Sequence, residues 1–308
     1  GERRRRVTAF LKAHGATALL AEYGPTGCRL MGACQEARVP LYVHFHGYDA
    51  SILLRNPHQI RHYRKLFRIC SGIITPSRFL ANKLAEIGCA SNKLHVVPCG
   101  VDLNRFRPSS RDPGRILAVG RLVEKKAPHL TIQAFARIAS WFPDARLDII
   151  GDGPLRERCQ QLVAETGLSQ RVTLHGVVPS ESVATHMQIA SLFVQHSVTA
   201  NNGDTEGLPV AILEAMASAL PVVSTRHSGI PEAVEHGVTG LLVPEGDVSA
   251  MAEAMAELLT DRARAAGMGA AGRQRVLDHF TIEHTRDRLR AIMGLSTVAT
   301  AVAAEEPV

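Results

Sequence analysis

The segment Asp204-Thr205-Glu206-Gly207-Leu208-Pro209-Val210-Ala211-Ile212-Leu213-Glu214-Ala215-Met216 sets two glutamates eight positions apart around a predicted helix start. Pro209 suits the first helical turn, where an N–H has no intrahelical partner to lose. Val210, Leu213 and Met216 recur at helical spacing and predict a buried face. Glu206 then stands just ahead of the helix N-terminus, and Glu214 lies more than one turn inside it. The free N–H groups at 207–210 make an anion site. Acids on either side of such a site can hold two hydroxylated groups flanking a phosphate, the layout of a nucleotide sugar. They can also simply complement the helix dipole, so the segment takes its meaning from its surroundings.

Strand-like runs lie on either side of that helix, at 191–194 and 221–224. The alternation continues outward in both directions. Further strands are predicted near 16–21, 40–45, 71–75 and 94–97, then near 115–119, 146–150, 171–174 and 240–243. Amphipathic helices are predicted at 127–140, 154–166, 249–260 and 281–293. This pattern argues for parallel α/β architecture. The turn-rich stretch from Pro98-Cys99-Gly100-Val101-Asp102 to Pro113-Gly114 divides the chain into domains of 1–108 and 109–295. Residues 296–308, rich in Ala, Thr and Glu, are expected to be a disordered tail. Six strands in the second half make a full nucleotide-binding sheet. The first half has about four and starts without an opening strand and Gly-rich turn, as expected of a shortened version of a longer design.

With 308 residues, 45% hydrophobic and 21% charged, the chain has the size and balance of a two-domain globular enzyme. Aromatics at 5% are too few for a platform that stacks single-stranded nucleic acid. Six cysteines without a framework spacing read as a reduced, cytoplasmic compartment. Residues 1–108 hold 17 Lys and Arg against 6 Asp and Glu, whereas 109–308 hold 18 against 23. The basic half is therefore expected to meet an anionic partner. Arg55–Arg68 interleaves bases with Ile60, Tyr63, Leu66 and Phe67. It reads either as an interfacial helix on an anionic membrane surface or as an amphipathic helix with a solvated basic side.

Candidate site residues cluster after predicted strands, where open α/β sheets bind ligands. Gly120 permits close backbone approach, Arg121 offers a planar fork for phosphate, and Lys126 adds a point charge across the same loop. Gly151-Asp152-Gly153-Pro154 is a second tight turn that either approaches a ligand or only turns the chain. The backbone of Gly176, Val177 and Val178 can read a base edge. His46, followed by Gly47 and Asp49, stands at a strand end, placed either to touch substrate or to cap the next turn. Ser77 is read as a helix N-cap. The sequence groups no metal ligands: His44 and His46 are two apart on a strand with no acidic pair at a strand end. A Walker loop and a G-x-S-x-G elbow are absent.

In this order, Gly120-Arg121-Leu122 with Lys126, Gly151-Asp152-Gly153-Pro154-Leu155 and Glu206-Gly207-Leu208-Pro209 through Glu214-Ala215-Met216 resemble retaining glycosyltransferases of family 4. Leu220–Thr225, Gly229-Ile230-Pro231-Glu232 and Gly237–Val243 extend the resemblance. In the first half His46-Gly47-Tyr48-Asp49 and Val97–Asp102 carry it. HFHGYDAS and GDTEGLP are similar to bacterial polysaccharide-assembly members. The resemblance implies the GT-B fold, two facing Rossmann-like domains with the first one incomplete here and the last helix packing back on it.

It further implies a nucleoside diphosphate sugar donor, a saccharide or lipid-linked acceptor, and no metal or other cofactor. Arg121 and Lys126 would neutralise the diphosphate, and Glu214 would bind the ribose. Glu206 would face the sugar, and the N–H groups of Gly207 and Leu208 would meet phosphate and sugar. His46 would reach the sugar from the opposite domain. Two residues depart from the pattern: Cys99 where Asn is usual, and Ser228 where Gly is usual. The function so implied is transfer of a sugar in cell-surface or exopolysaccharide synthesis, by a cytoplasmic protein peripheral to the membrane. The alternative is a nucleotide-sugar-binding protein without transfer. An epimerase, a phosphorylase and a nucleic-acid binder fit less well.

Overall fold

The computed structural model describes residues 1–295, so the expected disordered tail lies outside the described residues. Short apolar runs bounded by Gly, Pro and Ser form ten strands: β1 (Leu19–Glu22), β2 (Leu41–His44), β3 (Gly72–Thr75), β4 (Leu94–Val96), β5 (Arg115–Val119), β6 (Arg146–Ile150), β7 (Val172–Gly176), β8 (Leu192–Gln195), β9 (Val222–Thr225) and β10 (Gly240–Val243). Between them run α1 (Glu2–Ala13), α2 (Gly24–Ala37), α3 (Pro57–Ile69), α4 (Arg78–Glu86), α5 (Pro128–Ile138), α6 (Arg156–Glu165), α7 (Ser180–Ile189), α8 (Val210–Ala217), α9 (Ile230–Ala233), α10 (Val248–Thr260), α11 (Arg262–His279) and α12 (Ile282–Ile292). Every strand expected from the sequence is present.

The strands form two parallel sheets, ordered β1-β2-β3-β4 and β10-β9-β8-β5-β6-β7. In the second, the chain leaves β5 for β6 and β7 on one side and returns to β8 on the other. The carboxyl ends of β5 and β8 therefore flank a topological switch point, where loops diverge and leave a crevice. The expectation of two Rossmann-like α/β domains holds.

Each sheet is covered by helices. Val43, Phe45, Tyr63, Leu66 and Leu80 fill the first core. Phe135, Leu147 and Met255 pack one face of the second sheet, and Phe193, Leu213 and Met216 the other. The structure decides between the two readings of α3 and corrects one expectation for α8. The apolar side of α3 is not free for lipid: Tyr63, Leu66 and Phe67 are buried against Phe45 and its neighbours. What α3 shows to solvent is Arg61, Arg64, Lys65 and Arg68. It is an amphipathic helix with a solvated basic side. In α8, Val210 is exposed rather than part of the buried face. Ile212, Leu213, Ala215, Met216 and Ala217 are all buried, because α8 sits beneath α11 as well as on the sheet.

Candidate active site

α8 begins one residue after Pro209, so Glu206-Gly207-Leu208 is the chain entering its first turn. A short 3-10 turn after β5 (Glu124–Lys126) brings Lys126 Nζ to 3.2 Å from Glu206 Oε1 and 3.5 Å from Gln195 Oε1 at the end of β8. Glu206 is buried and Lys126 largely so, which strengthens their pairing. Glu214, about two turns along, is half-buried. Burial pushes its carboxyl above the usual range, against the opposing pull of Arg105 and Lys126. The eight-residue spacing thus sets two carboxylates near one ammonium at the switch point.

Arg121 follows Gly120 and is exposed at the rim of this crevice. Gly120 approaches the Lys126 stem: a Cβ there would lie 3.3 Å from its Cδ. Gly153 belongs to the same wall, since a Cβ on it would come within 2.6 Å of the Leu122 carbonyl oxygen. Val177 stands just past β7 and is 81% exposed. Gly207 and Leu208 head α8, and Leu208 is buried.

The first domain closes against this point. A Cβ on Gly207 would lie 2.4 Å from the His46 carbonyl oxygen, so the two backbones touch and only glycine fits. Asp49 is fully buried and accepts N–H bonds from His46 (2.9 Å), Gly47 (3.2 Å) and Gly24 (2.8 Å). The capping of the turn after β2 is therefore done by Asp49, and the His46 ring is left for other work. Its Nε2 lies 2.5 Å from Glu22 Oε2, and the ring stacks at a tilt on Tyr23 and His44. Ser77 caps α4 as expected.

Several residues at this place escaped the sequence reading. Lys125, not only Lys126, is built in: it is buried, with Nζ 3.0 Å from Asp204 and 3.1 Å from the Thr205 carbonyl oxygen. Ser51 of the first domain donates to the same Asp204 at 3.2 Å. Glu22 gave no signal because its partners His44, at the end of β2, and His46, in the turn after it, are more than twenty residues away. His227 and Glu245 hold the loop before α8 from elements far along the chain. Cys99 also comes in. Ligand atoms of His44, His46 and Cys99 lie within 4.8 Å of one another, a set of soft and borderline donors that the sequence did not group. Burial pushes the Cys99 thiol upward, and Glu22 adds to this.

Comparison with known proteins identifies the family and the fold. Residues 102–275 match the family model for glycosyl transferases group 1, and residues 2–105 match that for Glycosyltransferase Family 4. The chain is 37% identical over 250 residues to the putative colanic acid biosynthesis glycosyltransferase WcaL of Escherichia coli K12, covering 78% of this chain and 61% of WcaL. It is 35% identical over 283 residues to the amylovoran biosynthesis glycosyltransferase AmsK of Erwinia amylovora, covering 89% of this chain and 69% of AmsK. The fold superposes on Anabaena HepE, solved in complex with UDP-glucose, with a TM-score of 0.82 at 22% identity, covering 95% of this chain and 82% of HepE. The fold is thus GT-B, and the chain spans 61% of the length of WcaL. Among the described residues no helix is long and apolar enough to cross a membrane. With its crevice at the β5–β8 switch point and its family model over more than half its length, the chain belongs to the glycosyl transferases group 1.

Proposed function

We propose that the chain is a retaining, metal-independent hexosyltransferase that moves a sugar from a nucleoside diphosphate sugar to a saccharide or lipid-linked acceptor in exopolysaccharide assembly. The observation that carries this reading is the pairing of Glu206 with Lys126 at the head of α8, with Glu214 beyond and His46 facing from the other domain. Arg121 and Lys126 would neutralise the diphosphate, with the α8 N-terminus adding its dipole. Glu214 would hold ribose hydroxyls, and Gly153 and Val177 would border the nucleoside. Glu206 would position and stabilise the sugar as its bond to phosphate breaks. In front-face transfer the departing phosphate oxygen takes the acceptor proton, so Glu206 is a positioner and not a covalent nucleophile. WcaL and AmsK, whose names place them in colanic acid and amylovoran biosynthesis, support a polysaccharide acceptor.

The test is calorimetry against UDP, GDP and ADP and their sugars with and without chelator, followed by sugar release and the anomeric configuration of the product. Binding and turnover that survive chelation, with the anomer retained, support the proposal. Binding without turnover favours the donor-binding alternative, and an inverted product overturns the retaining assignment.

A further inference from the structure

The loop that presents Glu206 is held at its backbone by three consecutive residues of the segment after β9. The Glu206 N–H donates to His227 Nε2 at 3.1 Å. Ser228 Oγ donates to the Glu206 carbonyl oxygen at 2.5 Å. The Gly229 N–H donates to the Gly207 carbonyl oxygen at 3.1 Å. This contact is close enough to require a glycine, since a Cβ on Gly229 would lie 2.2 Å from that oxygen. Behind His227 stands Glu245, with Oε1 2.6 Å from Nδ1 and Oε2 accepting the Thr199 N–H at 2.7 Å. Burial raises the Glu245 carboxyl, but the Thr199 N–H and His227 outweigh it and hold it below its usual range.

The chemistry of this chain of bonds fixes the imidazole. A ring nitrogen that accepts an N–H carries no proton, so the His227 proton sits on Nδ1 and points at Glu245. His227 is 1% exposed, so no water substitutes for either bond. Ser228 adds a second oddity. It stands where the family resemblance expects glycine, and its φ of 53° is in the left-handed region that glycine adopts freely. The hydroxyl bond to Glu206 is a reason for a serine to occupy so unfavourable a conformation.

We propose that His227, Glu245 and Ser228 are positioning residues that set the backbone of Glu206, and through it the aim of the Glu206 carboxylate toward the donor sugar. The inference rests on the proposed donor site, because it assigns what these residues position. The charged groups around the ring are Glu245 on Nδ1 and the Glu206–Lys126 pair beyond Nε2. His196 lies beside Glu245 and Asp247, its Nε2 occupied by the Gly246 N–H. From the first domain, Ser77 packs against Gly229.

The experiment uses the full chain and three variants: Ser228→Ala, His227→Phe and His227→Gln, whose amide oxygen can accept the Glu206 N–H. Amide exchange over residues 204–208 is measured at one pH. Affinity for the bare nucleoside diphosphate and kcat with the sugar donor are measured beside it. Ser228→Ala and His227→Phe are expected to speed exchange at 204–208 at least tenfold while β9 stays protected. They should lower kcat at least tenfold while nucleotide affinity stays within twofold. His227→Gln is expected to restore both. Unchanged exchange in both loss variants overturns the clamp, as does a kcat loss matched by lost nucleotide affinity or a failure of His227→Gln to differ from His227→Phe. Failure of the wild type to bind any nucleotide would strike the donor site alone, since the exchange readout of the clamp needs no ligand.

Discussion

Arg121 and Lys126 border one turn but keep different company: Arg121 is exposed, and Lys126 is already paired with Glu206. Arg121→Ala is expected to weaken nucleoside diphosphate binding by about 1–3 kcal/mol, the worth of charge-assisted phosphate bonds. Lys126→Ala should cost a similar amount and also leave the buried Glu206 carboxylate without its cation. Calorimetry with the bare nucleotide decides, and unchanged affinity in both variants removes the diphosphate assignment. Asp49 acts on stability instead. Asp49→Ala strands the N–H groups of Gly24, His46 and Gly47 in a buried turn and is expected to cost about 3 kcal/mol, read from denaturant midpoints. Glu206, Glu214, Arg121 and Lys126 were legible in the sequence because their spacing is local to a single turn or helix. Lys125, Glu22 and His227 were not, because their partners lie on other elements and neighbouring residues carry no trace of them.

Two elements read differently in isolation and in the fold. The α3 pattern of bases and aromatics satisfies both an interfacial helix and a core-facing one, since each needs one apolar side. Packing against Phe45 chooses the second. Adsorption to an anionic membrane would use the exposed cationic side. Reversing Arg61, Lys65 and Arg68 to Glu is expected to abolish flotation with anionic vesicles, and equal partition of the parent chain between neutral and anionic vesicles would sink the idea. The turn after β6 shows the other case. Its glycines were read as either a ligand approach or a plain turn, and the structure gives Gly153 a steric duty against Leu122. Gly153→Ala is expected to destabilise the second domain by about 2–3 kcal/mol, seen as a lower melting temperature.

At the scale of the whole molecule, the two domains are joined by small, specific ties. Glu232 accepts the Arg78 and Phe79 N–H groups at the head of α4 (2.8 and 3.0 Å), and Ser51 meets Asp204. Thr285 on α12 donates to the Pro98 carbonyl oxygen at 2.8 Å. One histidine in each domain sets an acid limit on this assembly. Burial depresses His44 and His196 from 6.5 to about 4. Between those values the unfolded chain binds more protons than the folded one, so stability falls as pH falls through that window. The slope is about 1.4 kcal/mol per pH unit for each histidine. Melting temperature should therefore drop between pH 7 and 5, and His196→Asn should flatten the slope; an unaltered slope rejects the assignment for His196. By itself the sequence determined the ten strands, the two parallel domains and the residues heading α8, because strand alternation, helix periodicity and turn chemistry act over a few residues. Only the tertiary structure decided that Glu206 pairs with Lys126, that His46 turns to Glu22, and that His227 and Ser228 hold the Glu206 backbone. Those contacts join residues distant in the chain: β1 and β2 pair in one sheet, β5, β8 and β9 lie side by side in the other, and the turn after β2 packs against Gly207.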